Sequence, residues 1–206
     1  MSARTPAKRP LSVDAPRARA GTDPASAAGA ACIVTAGLGL LLIRPALVQV
    51  APRPEAALLV VYAALLAVSV LAPLPLDRAP RASAIRFGAT LAVGVAAVSV
   101  ARLFALPAPP TRTTTVAVAL SVVAAVAEEA LFRRFAYAWL ARRGTALAVA
   151  GSALLFALVH VPAYGIAALP VDLGAGLLLS WQRFASGGWA APAATHVAAN
   201  LLAVLP

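Results

Sequence analysis

Charge is scarce in this 206-residue sequence. Asp, Glu, Lys and Arg together make up 12% of it, and hydrophobic residues make up 62%. Soluble globular proteins carry about 25% charged residues, and a water-facing surface cannot be assembled from so few polar side chains. A soluble domain is therefore excluded. Cysteine is nearly absent: Cys32 is the one thiol, and it lies inside an apolar run, so no intrachain disulfide can form. Glycine numbers 13, with neither a G-X-Y period nor a heptad, which removes collagen and coiled-coil classes. Disorder of the whole chain fails because its signature is low hydrophobicity. Acids number only seven against 17 basic residues, a net charge of +10. Sixteen of the basic residues are arginines in short clusters between apolar runs, as membrane topology requires, so no nucleic-acid partner is expected.

What is there is long apolar runs. A spanning helix needs roughly 20 mostly apolar residues, and the pattern predicts an all-α, polytopic membrane bundle of about seven helices. They fall near 26–43, 56–72, 84–106, 115–140, 145–161, 163–181 and 189–206. Predicted breaks are Arg44-Pro45 with Pro52-Arg53-Pro54, Pro73 to Arg81, Pro107 to Arg112, Arg142-Arg143-Gly144, Pro162, and Ser186-Gly187-Gly188. Arg86 and Arg102 are expected to snorkel from the two ends of the third helix. Residues 1–24, with Lys8 and four arginines among Pro, Ala and Ser, read as a disordered basic tail ahead of a membrane domain over 25–206. With the N-terminus cytoplasmic, that side collects eleven basic residues and the other side four (Arg44, Arg53, Arg102 and Arg112). This asymmetry predicts a multi-pass protein of the cell membrane with a cytoplasmic N-terminus.

Several polar groups fall inside apolar helices. Glu128 and Glu129 are adjacent near the middle of the fourth helix. An ionisable group there costs on the order of 2.5–3.5 kcal/mol on insertion scales, so it faces protein or a water cavity. Glu129 and Arg133 are spaced i,i+4 with the acid first, the favourable order for an ion pair. Glu128 lies about 100° round the helix and has no partner on that helix, which points to one structural acid and one working acid. The only two histidines are also intrahelical: Phe156 and His160 share one face, as do His196 and Asn200. At about 1.5 Å rise per residue, Glu128, His160 and Asn200 come to similar depths, and helix tilt brings in His196. Asp172, near Pro170, reads better as lining a loop or interface than as part of this set.

In order, Glu128-Glu129-Ala-Leu-Phe-Arg133, Phe156-Ala-Leu-Val-His160 and His196-Val-Ala-Ala-Asn200 resemble the signature of the CAAX protease and bacteriocin-processing (CPBP, or Abi) family of intramembrane endopeptidases. The resemblance covers about residues 115–202 and implies hydrolysis of a peptide bond in or near the membrane. It implies Glu128 as general base, His160 sharing the water, His196 and Asn200 steadying the oxyanion, and Glu129, Arg133 and Phe156 supporting them. No cofactor is favoured; zinc is the alternative, held by His160, His196 and Glu128 in a site with an open position. The absence of an H-E-x-x-H pair argues for the metal-free form. Pro206 follows Asn200 by six residues, whereas many relatives continue into a further helix, which implies a less enclosed site.

The expected partners are membrane lipid and a membrane-associated peptide or protein substrate; the oligomeric state is not legible. Eukaryotic relatives trim prenylated CAAX proteins, but the Arg-rich, Ala-rich composition is of a bacterial, GC-rich kind in which such substrates are not expected. Two rival readings use the same residues: a proton- or cation-relay transporter, and a catalytically silent scaffold or immunity protein. Transporters of the first kind carry internal repeats, and none is found.

Overall fold

In a computed structural model the described residues are 24–71, 82–104 and 114–204. The predicted tail up to residue 23, and the predicted breaks at 73–81 and 107–112, lie outside them. Helices α1 (Pro24–Leu42), α2 (Arg44–Val50), α3 (Pro54–Leu71), α4 (Ala84–Phe104) and α5 (Thr115–Glu129) come first. A π-helical segment (Ala130–Ala136) joins α5 to α6 (Tyr137–Ala141); α7 (Thr145–Tyr164), α8 (Leu169–Ser186) and α9 (Ala190–Val204) follow. Counting α1 with α2, and α5 with the π segment and α6, the described residues form seven helical runs.

Five runs are long and apolar enough to cross a membrane: Ala28–Val50, Pro54–Leu71, Ala84–Phe104, Thr115–Ala141 and Thr145–Tyr164. α9 is apolar but shorter. α8 buries Gln182 and Arg183. The burial pattern suits a bilayer, with Leu103, Phe104, Ile85 and Leu71 turned outward and Glu128, Glu129, Arg133, His160 and His196 turned inward. This is an all-helical membrane bundle.

Two predicted breaks are corrected. Arg44-Pro45 does not end the first span; Pro45 stands in the first turn of α2, where its missing N–H costs nothing. The helical run therefore continues to Val50 with Arg44 inside it. Pro162 does not end α7, which runs on to Tyr164. Gly165, at φ 82°, makes that break, because a left-handed residue after the helix favours glycine.

α5 packs against α3 and α9, and α7 lies along α8. The α7–α8 contact is close because its residues are small, the usual device where helices associate in lipid. A Cβ on Gly176 would come within 2.8 Å of the Ala153 carbonyl oxygen. Ser152 and Ser180 share a 2.9 Å hydrogen bond between the same two helices. Opposite them, Gln182 of α8 donates to Thr90 O of α4 and to Thr195 Oγ1 of α9, both at 2.9 Å. At the far end Arg102 donates to the Leu202 carbonyl at 3.0 Å, capping α9 as basic side chains cap helix C-termini.

Candidate active site

Thr114 caps α5 by accepting from Ala117 N at 3.1 Å, and the helix then runs inward to the two acids. Beyond Glu129 the winding loosens into the π segment, a rare form that recurs at functional sites. The sequence reading has a uniform α-helix here; apolar composition carries no mark of the wider turn. The Arg133 carbonyl in this segment accepts Arg183 Nε of α8 at 3.0 Å.

The Glu129–Arg133 pair is present at 2.8 Å, with both side chains fully buried. Arg133 Nη2 also donates to the Gly176 carbonyl at 3.1 Å, tying the pair to the α7–α8 contact. The Arg133 guanidinium carbon stands 4.5 Å from the Phe156 ring centroid. Phe156 is 4.5 Å from the His160 ring and meets His196 edge-on at 5.6 Å. One aromatic ring thus props Arg133 and both histidines.

Glu128 is not unpaired, and the sequence expectation is corrected here. Arg44 of α2 donates through Nη1 to Glu128 Oε1 at 2.7 Å and to the Tyr62 hydroxyl at 2.7 Å. Its Nε donates to the Leu41 carbonyl at 2.9 Å. Arg44 occupies Oε1, so Oε2 is left toward the histidines: His160 Nε2 is 3.6 Å away and His196 Nε2 is 4.0 Å away.

The other nitrogens of the two imidazoles are engaged. His160 Nδ1 is 2.7 Å from the Phe156 carbonyl oxygen. A carbonyl only accepts, so Nδ1 carries the proton and neutral His160 presents a bare Nε2. His196 Nδ1 donates likewise to Glu129 Oε1 at 3.0 Å. Asn200 spends one amide N–H on the Ser121 carbonyl at 3.1 Å and keeps the other. Glu128, His160, His196 and Asn200 line one cavity of about 280 Å³, with Arg44, Tyr62 and Tyr164.

Three members of this cavity escaped sequence reasoning. Arg44, beside Pro45, reads as a loop charge. Tyr62 is one aromatic in an apolar run. Tyr164 left a trace, because Phe156, His160 and Tyr164 recur every fourth residue; its ring stacks on His160 at 5.6 Å.

Residues 110–202 match the family model described as type II CAAX prenyl endopeptidase Rce1-like. Over these residues the chain is similar to the CPBP, or CAAX protease, family. The Rce1-like match contains α5 to α9 with both acids and both histidines, and leaves α1 to α4 outside, Arg44 and Tyr62 with them. No curated protein and no solved structure matches the chain. The match and the apolar helices together support a multi-pass membrane protein whose C-terminal helices are similar to an intramembrane endopeptidase family.

Proposed function

We propose that the protein is an intramembrane endopeptidase in which Glu128 is the general base. The observation that carries this reading is the placement of Glu128 Oε2, 3.6 Å from His160 Nε2 and 4.0 Å from His196 Nε2. Acceptors that face each other this closely can hold a water by taking its two hydrogens. The water's lone pair then points away from them, toward an incoming peptide carbonyl.

As the water oxygen attacks, Glu128 takes its proton, a step worth about 10²–10⁴-fold in rate. His196 can receive that proton on Nε2, since its Nδ1 already donates to Glu129, and then carries positive charge beside the oxyanion. The second N–H of Asn200 serves the same oxygen; one such donor is worth about 10²–10³-fold. When the C–N bond breaks, the proton passes to the leaving amine, leaving a new carboxylate and a new amine. Arg44 and Tyr62 hold Glu128 so that Oε2 is the oxygen turned to the water.

Two observations support the metal-free form over a zinc held by His160, His196 and Glu128. Among the described residues no group of three or more His, Cys, Asp or Glu side chains is placed to hold a metal ion. Charge is also balanced already, with Glu128 against Arg44 and Glu129 against Arg133. A dication would add uncompensated charge where few charges reach water. On these grounds the metal-free form is the reading preferred, with zinc held by His160, His196 and Glu128 as its alternative.

The substrate class is a membrane-associated peptide or protein, and the basic asymmetry of the sequence favours a cytoplasmic N-terminus. Purified protein in liposomes should cut a membrane-bound peptide, and a chelator should leave the rate unchanged. Loss of activity with the chelator and its return with zinc would contradict the metal-free form. Ion flux without cleavage would move the reading to the relay, and binding without either to the scaffold.

A further inference from the structure

A second cavity, of about 180 Å³, lies on the α8 side of the same histidines. His160, Tyr164, His196 and Asn200 line both cavities, so a peptide held at the water lies against both. The first cavity holds Arg44 with Glu128. Among the described residues that line the second, Asp172 is the one acid and there is no Lys or Arg, with Val98, Leu178 and Leu179 in the walls.

Asp172 stands in the first turn of α8, where an acid favours the helix dipole. A dipole role leaves its oxygens in need of donors, and Pro170 removes one of the nearby N–H groups. Asp172 Oδ2 is buried and has no hydrogen-bond partner among the described residues. No Arg or Lys pairs with Asp172 among the described residues. A partly buried carboxylate with no Lys or Arg to pair with is costly.

We propose that this second cavity is a substrate subsite for a cationic side chain, a Lys or Arg of the peptide being cut. It rests on the endopeptidase reading for the identity of its ligand as substrate. The apolar walls take the methylene stem of such a side chain, as long basic side chains bury their stems elsewhere, and Asp172 takes the charged end. Asp172 is then a specificity residue.

The test is equilibrium binding to the full chain carrying Glu128→Gln, in detergent micelles. The probes are N-acetylated, fluorescently labelled ten-residue Ala/Leu peptides with one Lys moved through the central positions, each with a norleucine twin. At one position Lys should bind about tenfold tighter than norleucine, the scale of one partly desolvated charge pair. Asp172→Asn should erase that ratio without changing the affinity of the norleucine peptide, and Asp172→Glu should keep part of it. A ratio of one at every position overturns the proposal, as does a ratio that survives Asp172→Asn. Should Asp172→Asn fail to fold, the Lys scan on Asp172 and on Asp172→Glu still decides. Tighter binding that follows a free N-terminal amine instead of Lys also overturns it. Cleavage by Glu128→Gln would sink the assigned chemistry and leave the Lys-to-norleucine ratio where it is, so the two failures are distinct.

Discussion

Arg44 reaches Glu128 across 84 positions of sequence, and that distance is why the contact is not legible without a fold. The Glu129–Arg133 pair is legible because both members lie on one helical face four residues apart. Glu128 therefore reads as the lone acid until α2 brings its partner. The two pairs differ in depth: Arg133 and Glu129 side chains are 0% exposed, while those of Arg44 and Glu128 are 9% and 4% exposed. Breaking a buried pair from one side costs roughly 3–5 kcal/mol, and more where water cannot reach the charge left behind. Arg133→Ala should therefore lower the melting temperature in detergent more than Arg44→Gln does. Pairing each change with Gln at its acid should recover part of each loss. Equal melting of Arg133→Ala and wild type would remove the ion pair from the account.

Helices were legible as elements because apolar run length and the membrane's thickness leave few alternatives. Their ends were less so. Proline at positions 45 and 162 reads as punctuation, yet one starts a helix and the other sits in a last turn. The π segment is invisible for another reason: it changes which carbonyl each N–H meets without changing composition. At this scale the α7–α8 contact fixes the site, because the Gly176 carbonyl holds Arg133. Gly176→Ala puts a Cβ against the Ala153 backbone and should cost about 1–3 kcal/mol, as overpacking does. Gly174, with nothing within 4 Å of its added Cβ, is the control. Gly174→Ala should be neutral or slightly stabilising, since glycine inside a helix costs about 1 kcal/mol relative to alanine. Thermal unfolding in detergent reads both, and a Gly176→Ala as stable as wild type would contradict the close contact.

For the whole molecule, buried charge is removed from the topology count. Arg44 is engaged by Glu128 and Arg183 is buried in the bundle, so neither marks a membrane side. The asymmetry falls from eleven against four to ten against three and keeps its sign. Thr145→Cys in a Cys32→Ser background should resist an impermeant thiol reagent in intact cells and label after lysis; labelling in intact cells would reverse the orientation. In the proposed chemistry an acid held by Arg44 activates the water that cuts the peptide. Its most direct measurement is the cleavage rate of Glu128→Gln, purified in liposomes beside wild type and given the same membrane-bound peptide. The variant keeps the side-chain volume and loses the base, so it should bind the peptide and cut it at less than about a hundredth of the wild-type rate. Cutting at the wild-type rate would contradict the claim and move the chemistry to another group.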